Sequence, residues 1–375
     1  MIPVFKPWIT FTNSFYVFKA ALKKEISGSS IYVKKFETEF SKQHKNMYAV
    51  AVSNGSVALD LVLNSLDLNE DDEIIMPSLT IISCLASISR TPAKPIFCDV
   101  NFDSWNMTLD NIKEKVTKNT KAILAVHTYG LPCDIEKISE FCTENSITLI
   151  EDSAEAHGIF VNDKLCGTFG DFATFSFYAN KHITAGEGGM ILSRDKDNYS
   201  KFLQMRNLDF TKINRFKANN LYWNSRLGGL QAALGYSQIK NKTYKKIILK
   251  KKKQGYFYNE LLSKYSDYFY LPLKQVNAVN NNYWVYGIVL KSPGLRDKLL
   301  ELMMDDNIET RPFFWPLHQQ PSYENNYEET FHLPNSEYLG KNGFYIPLGS
   351  HMSKKKQKYV VSRLVFNIEK LLEND

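Results

Sequence analysis

Residues 147–158 read ITLIEDSAEAHG, an apolar strand candidate that ends directly in two adjacent carboxylates, Glu151 and Asp152. Short apolar runs with helical stretches between them precede it, at Met47–Ser53, Glu73–Met76, Pro95–Val100 and Lys121–Val126. Apolar strands that alternate with helices predict an α/β fold with a mostly parallel sheet sandwiched by helices. Ligands of such sheets bind at the carboxyl ends of the strands, so the two acids are expected to face a ligand crevice. A helix-capping role is the alternative for either acid.

The length and the change of pattern along the chain predict two domains. The chain has 375 residues, more than one domain commonly holds. The lysine cluster Lys245–Lys253 leads from the alternating pattern into mixed strands and helices. We predict a large domain over residues 1–245 and a smaller α+β domain over residues 246–375. The cluster itself is interpreted as a solvated helix face rather than an anion site.

Composition excludes several classes of protein. The net charge of +6, from 46 basic and 40 acidic residues, is too weak an imbalance to indicate a nucleic-acid partner. No run of 18 apolar residues predicts a membrane-spanning helix. The five cysteines are odd in number and contain no CxxC pair, which predicts free thiols, no metal site and a cytoplasmic location.

A lone lysine stands in the stretch Thr174–Met190, TFSFYANKHITAGEGGM. Lys181 lies there between a period-two strand pattern and a glycine-rich turn. A lysine held in a crevice loses solvation, its pKa falls, and its amine becomes nucleophilic. An ordinary surface lysine is the alternative.

A third segment, Ser53-Asn54-Gly55-Ser56, connects a predicted strand to a predicted helix. The free N–H groups of a helix N-terminus suit a phosphate, and an ordinary helix cap is the alternative. A phosphate cradle, an acid and a lysine are together what pyridoxal 5′-phosphate requires. This cofactor has a phosphate, a ring nitrogen to be kept protonated and an aldehyde to be held as a Schiff base.

These segments resemble the DegT/DnrJ/EryC1/StrS family of sugar aminotransferases, which are pyridoxal-phosphate enzymes of fold type I. The later stretches WNSRL at 223–227 and IETRPFFWPLH at 308–318 also carry the resemblance, which runs from Ile2 to Pro347. Within the family, the chain is most similar to the GDP-perosamine synthase branch, which aminates C4 of a nucleotide-linked 4-keto-6-deoxyhexose. The resemblance implies L-glutamate as amino donor, a keto-sugar acceptor and a homodimer with shared active sites.

The resemblance also implies residue roles. Lys181 occupies the position of the Schiff-base lysine, and Asp152 that of the aspartate that pairs with the ring nitrogen. The other implied cofactor-binding positions are Gly55, Ser56, Ile81, Glu155, Ser176 and Asn224, the last reaching the phosphate of the neighbouring subunit. Ile81 departs from the family, which commonly has an aromatic residue there to stack on the ring.

Arg311 and His318 are the candidate substrate-binding residues. Arg311 is expected to contact an anionic part of the substrate, with His318 nearby, and a salt bridge within the smaller domain is the alternative for Arg311.

Activities besides nucleotide-sugar amination remain open. The related sugar 3-dehydratases share the loop but carry histidine where this chain has Lys181. Amination of a nucleotide-free keto-sugar acid is also compatible with the motifs, and so is a non-catalytic regulator on the same scaffold.

Overall fold

The computed structural model describes residues 1–211, 213, 215–327 and 329–373. A seven-stranded sheet forms the centre of the larger part. Its strands are β1 (Tyr48–Val52), β2 (Glu73–Pro77), β3 (Lys94–Cys98), β4 (Thr120–Val126), β5 (Thr148–Asp152), β6 (Phe172–Ser176) and β7 (Gly189–Ser193). The spatial order is β1-β7-β6-β5-β4-β2-β3. The predicted strands are therefore confirmed, with slightly different ends.

Strand β7 runs against the rest of this sheet. It pairs antiparallel with both β1 and β6, whereas the pairs from β6 through β5, β4 and β2 to β3 are parallel. The prediction of a mostly parallel α/β sheet is confirmed. The carboxyl ends of β5 and β6, at Asp152 and Ser176, consequently lie side by side.

Helices cover both faces of this sheet. The described helices of this part are α1 (Phe11–Leu22), α2 (Ile31–Gln43), α3 (Gly55–Leu63), α4 (Ile82–Ile88), α5 (Leu109–Lys113), α6 (Ile135–Glu144), α7 (Lys196–Met205) and α8 (Gly229–Lys240). Alternation along β1 explains the layering: Val50 and Val52 pack with α3, whereas Ala49 and Ala51 pack with α2 and α8. Successive strand residues point to opposite faces, so each face receives its own apolar core.

A four-stranded antiparallel sheet forms the centre of the smaller part. Its strands are β8 (Phe269–Tyr270), β9 (Tyr286–Leu290), β10 (Arg311–Pro312) and β11 (Gly343–Ile346), in the order β8-β9-β11-β10. The helices here are α9 (Thr243–Leu262), α10 (Arg296–Asp305), α11 (Pro321–Glu324), α12 (Pro334–Asn342) and α13 (Lys354–Leu372), with short 3₁₀ turns at Ser263–Tyr265 and Leu317–Gln319. The remaining described strands form two small hairpins. One pairs Phe160–Val161 with Lys164–Leu165, and the other pairs Gln275–Val276 with Val279–Asn280.

Helix α9 joins the two parts. Ile248 near its start packs in the core of the large sheet, and Tyr258 and Leu262 near its end pack in the core of the smaller one. Residue 245 lies in the first turn of this helix, and the domain division at that residue remains a prediction. None of the described helices is long and apolar enough to cross a membrane.

Candidate active site

A cavity of about 510 Å³ lies at the carboxyl ends of β5 and β6, and residues of the smaller sheet and its connections line one side of it. Eight of the sequence-predicted site residues line it: Gly55, Ser56, Ile81, Asp152, Glu155, Ser176, Lys181 and Arg311. The parallel pairing of the strands brings the three sequence segments together, as expected. Each of these residues therefore has access to one common ligand.

Lys181 is the central side chain of this cavity. Its side chain is 9% exposed, and its Nζ lies 3.5 Å from Glu155 Oε1 and 3.7 Å from the ring centroid of Trp284. Desolvation lowers the pKa of Lys181, although the negative charges of Glu155 and Asp152 oppose the shift. A buried amine with a lowered pKa is a nucleophile near neutral pH, and the surface-lysine alternative is excluded.

Glu155 is held in place opposite this amine. Its Oε2 accepts a hydrogen bond of 2.8 Å from the backbone N–H of Tyr129. Desolvation raises the pKa of Glu155 to about 7, against the lowering effects of Lys181 and of this hydrogen bond. Burial therefore favours the neutral form of both partners, while their mutual attraction favours the ion pair.

Asp152 is a buried carboxylate with weak partners. Its Oδ1 accepts the backbone N–H of Ala154 at 3.0 Å, and its Oδ2 lies 3.6 Å from the thiol of Cys84. Burial raises the pKa of Asp152, opposed by the Ala154 hydrogen bond and by the charge of Lys181. A cationic N–H donor from a ligand would relieve this desolvation.

Glu151, the other acid of the pair, has a structural role. Its carboxylate accepts the backbone N–H groups of Gly167, Phe169 and Gly170, and lies 3.2 Å from His127 Nε2. It points away from the cavity lining because successive residues of a strand face opposite sides. The prediction that both acids face the crevice was therefore wrong for Glu151.

The predicted anion-binding residues lie together where β6 meets the start of α3. Asn54 Oδ1 caps the helix through the N–H of Val57 at 2.9 Å, while Gly55, Ser56 and Ser176 line the cavity. A Cβ on Gly55 would come within 2.9 Å of Ser176 Cβ, so glycine is required for this close approach. The segment is thus both a helix cap and an opening onto the positive end of the helix dipole.

Two predicted residues lie outside the cavity lining. His318 is buried and bonds through Nδ1 to Ser78 Oγ at 2.6 Å, and its Nε2 lies 3.4 Å from Glu337 Oε1. Asn224 is exposed, and its backbone bridges to Asn207. A substrate role for His318 remains a prediction without support from this geometry. The role predicted for Asn224 concerns a neighbouring subunit and remains a prediction as well.

Sequence reasoning missed the aromatic wall contributed by the smaller domain. Trp284, Phe314 and Tyr345 line the cavity. No local pattern distinguishes them from core aromatic residues, since they reach the cavity only through the docking of the two parts of the chain.

The residues of the cavity fit pyridoxal 5′-phosphate. The start of α3 and Ser176 leave no room for a Cβ at Gly55 and could hold a phosphate. Asp152 is in no ion pair of the described residues, and Lys181 supplies a buried primary amine. The described residues contain no group of three or more His, Cys, Asp or Glu side chains able to hold a metal ion. The fold and the site together define a pyridoxal-phosphate-dependent enzyme.

Comparison with known proteins identifies the class more closely. The chain belongs to the DegT/DnrJ/EryC1/StrS aminotransferase family, whose model matches residues 13–365. It is a pyridoxal-phosphate-dependent aminotransferase of fold type I, as the sequence indicated. It is 35% identical over 359 residues to "GDP-perosamine synthase" of Escherichia coli O157:H7, a match that covers 96% of each chain.

Two further matches extend this comparison. The chain is 30% identical over 347 residues to "GDP-4-keto-6-deoxy-D-mannose 3-dehydratase" of Escherichia coli O55:H7, covering 85% of this chain and 88% of that one. The solved structure of the aminotransferase TlmJ from Streptoalloteichus hindustanus superposes with a TM-score of 0.92 at 25% identity, covering 99% of this chain and 100% of that one. The fold prediction is confirmed over the whole chain.

Proposed function

We propose that this enzyme transfers the amino group of L-glutamate to the keto carbon of a nucleotide-linked 4-keto-6-deoxyhexose, with GDP as the nucleotide. The observation that carries the proposal is Lys181, a buried primary amine with a lowered pKa in a cavity that also holds Asp152 and the anion site. The similarity to a GDP-perosamine synthase supports the sugar and the nucleotide. The aminated sugar would serve a surface polysaccharide.

The side chains of the cavity have distinct proposed tasks. Pyridoxal phosphate, when bound, supplies an aldehyde for the amine and a ring that accepts electrons. Gly55, Ser56 and Ser176 bind its phosphate, and the carboxylate of Asp152 keeps its ring nitrogen protonated. Lys181 holds the cofactor and, once released by the donor amine, moves a proton as general base and acid. Ile81, at the rim of the cavity, packs on the ring without aromatic stacking.

Arg311 is the proposed contact for an anionic part of the substrate. Its side chain lines the cavity, is 42% exposed and lies 3.2 Å from Glu309 Oε1. The guanidinium can bind a carboxylate or a phosphate in bidentate fashion. Because Glu309 pairs with Arg311, the salt-bridge alternative is correct in part. Tyr345 also hydrogen-bonds to Arg311, and a ligand anion would join these two partners at the half-exposed guanidinium.

Dehydration is the second candidate reaction, favoured by the similarity to a 3-dehydratase. The dehydratases have histidine at the position of Lys181. His182, the next residue, does not replace it, because it is 2% exposed and lies outside the lining of the catalytic cavity. A histidine cannot form a Schiff base with the cofactor, so the lysine favours amination.

The enzyme is proposed to act as a homodimer with shared sites. The segment before Asn224 exposes large apolar side chains, including Phe216, Leu221 and Trp223, and helix α1 exposes Phe11 and Leu22. Exposed apolar surface of this extent is typical of a protein–protein interface. A dimer formed through these surfaces would place Asn224 within reach of the partner's phosphate site.

A cytoplasmic location completes the proposal. All five cysteines are free and buried, as expected of a protein kept in a reducing compartment. The net charge of +6 suits anionic small molecules without indicating a nucleic acid.

The test is product analysis with a panel of GDP-, dTDP- and UDP-linked 4-keto-6-deoxyhexoses plus L-glutamate. The expected product contains one new nitrogen, and GDP substrates react fastest.

Borohydride reduction of the holoenzyme is expected to attach the cofactor to Lys181 alone. The variant Lys181→Ala should lose turnover, and the exposed-site variant Lys196→Ala should retain it. A deoxygenated product without new nitrogen, or labelling of another lysine, would refute the proposal.

A further inference from the structure

A second cavity lies behind the catalytic one. It occupies about 350 Å³ between helix α2, helix α9 and the hairpin that begins at Phe160. We call it the histidine cavity, after His44 and His157 on its wall. Both rings pack against Phe175, with centroid distances of 5.1 Å for His44 and 5.5 Å for His157. Neither histidine takes part in the reaction proposed above.

The backbone fixes the tautomer of each histidine. His44 Nδ1 bonds to the carbonyl oxygen of Phe40 at 2.8 Å, and His157 Nε2 bonds to that of Ser176 at 2.9 Å. A carbonyl oxygen only accepts, so the bonded nitrogen of each ring must carry the proton. Burial lowers the pKa of His44 to about 4 and that of His157 to about 3. Both rings are therefore neutral, and each second nitrogen is a hydrogen-bond acceptor.

These two acceptor nitrogens have no partner among the described residues. The two residues are 4% and 2% exposed, yet neither nitrogen is completely sealed from solvent. Each acceptor nitrogen keeps contact with solvent through the cavity, and a ligand that brings an N–H or O–H group would bond to it in place of water.

The rest of the wall is apolar, with cations at its mouth. Ile183, Leu165 and Ile248 form the apolar part. Lys245 and Lys252 stand at the opening, two turns apart on α9, and neither belongs to an ion pair of the described residues. An apolar body, a hydrogen-bond donor and an anionic end would match these three features.

We propose that the histidine cavity binds a small aromatic acid, an apolar ring that carries an N–H or O–H donor and ends in a carboxylate. The ring would lie against Ile183 and Ile248, the donor would bond to an imidazole nitrogen, and the carboxylate would meet Lys245 and Lys252. Such a ligand would lie next to the catalytic cavity. It would contact His157, which bonds to the backbone of Ser176, and the side chain of Ser176 lines the catalytic cavity.

The test uses indole-3-acetate as probe and calorimetry on the holoenzyme. Two analogues each lack one feature: 1-methylindole-3-acetate has no donor, and 3-methylindole has no anionic end. We expect indole-3-acetate to bind, and each analogue to bind about fivefold or more weakly, as loss of a single hydrogen bond or ion pair implies.

Charge-reversal variants locate the site. Lys245→Glu with Lys252→Glu is expected to weaken indole-3-acetate about tenfold or more. The matched control, Lys246→Glu with Lys253→Glu, makes the same charge change at exposed positions of the same helix and should alter the affinity less than about twofold. Lys245, Lys246 and Lys253 are exposed and Lys252 is half-buried, so the melting temperature of each double variant is measured to confirm that it folds. Absence of binding at millimolar probe, equal weakening by both double variants, or undiminished binding of the N-methyl analogue would overturn the proposal.

Discussion

At the scale of single residues, burial determines the chemistry of the catalytic cavity. Desolvation lowers the pKa of Lys181 and raises that of Glu155 to about 7. Each group thereby moves toward neutral pH, while their mutual attraction opposes both shifts. The sequence indicated a special lysine by its position between a strand and a glycine-rich turn, but it held no sign of this coupling.

The coupling predicts the behaviour of Glu155→Gln. The glutamate charge raises the pKa of Lys181, so its removal should lower that pKa further and leave more neutral amine at a given pH. The apoenzyme should then capture pyridoxal phosphate at lower pH, with a midpoint shifted to lower pH than in the wild type. The measurement is the rate of yellow colour formation against pH. The exposed-site variant Glu140→Gln should match the wild type, and an unchanged or higher midpoint for Glu155→Gln would contradict the coupling.

At the scale of elements, the start of helix α3 depends on β6 for its function. The helix start is the proposed source of N–H groups for the phosphate, and Ser176 on the strand lines the same part of the cavity. Ser176→Ala should weaken retention of pyridoxal phosphate roughly tenfold to hundredfold, since a hydrogen bond to a charged group contributes about 1.5–3 kcal/mol. Gly55→Ala should act in the same direction, because its Cβ would lie 2.9 Å from Ser176 Cβ.

Equilibrium dialysis measures this retention directly. Ser200→Ala, at an exposed position on α7, is the matched control and should bind the cofactor like the wild type. Normal retention by Ser176→Ala would show that the phosphate binds elsewhere.

In helix α9, the interpretation of the lysine cluster as a solvated helix face was wrong for Lys251. Lys251 is 5% exposed, and its Nζ donates to the backbone oxygen of Trp284 at 2.8 Å. Since the ring of Trp284 lies over Lys181, this buried lysine supports the aromatic wall of the catalytic cavity. Its neighbours Lys246 and Lys253 are exposed as expected. The sequence of a lysine run does not indicate which of its lysines a distant part of the chain will bury.

The pH dependence of stability tests the burial of Lys251. Desolvation lowers its pKa to about 7 in the folded protein, against about 10.4 in the unfolded chain. Between these values the unfolded chain binds more protons, so this group makes the protein less stable as the pH falls from about 10 to about 7. Lys251→Met removes that penalty. Its melting temperature relative to wild type should rise as the pH falls, whereas Lys253→Met should stay parallel to wild type. Parallel profiles for Lys251→Met would contradict the burial.

At the scale of the whole molecule, the exposed apolar side chains carry the proposal of a dimer. Helix α1 and the segment before Asn224 expose more large apolar side chains than a monomer commonly does. A shared active site predicts complementation between two inactive chains. Lys181→Ala and Asn224→Asp should each be inactive as homodimers, the second because a carboxylate would face the cofactor phosphate.

In a hybrid dimer of these two variants, one site would collect both defects and the other neither. Activity should therefore return after subunit exchange, toward about a quarter of the wild-type value if exchange is random. Exchange is monitored separately by a mass tag. Confirmed exchange without recovery would place Asn224 outside the neighbouring site.

Local patterns along the chain were enough to predict the fold class, the strands and three segments of the catalytic cavity, whereas the positions of Ile81, Glu155 and Ser176 were implied by the family resemblance. Period-two and helical patterns are local, and the rule that ligands bind at the carboxyl ends of parallel strands connects segments such as Ser53–Ser56, Asp152 and Lys181 without further information. The remaining features depend on packing between segments that are distant in sequence. Such packing buried Lys251, kept His318 out of the lining and brought Trp284 over Lys181. Desolvation by a distant segment leaves no mark on the local sequence, so these three outcomes could be seen only in the folded chain.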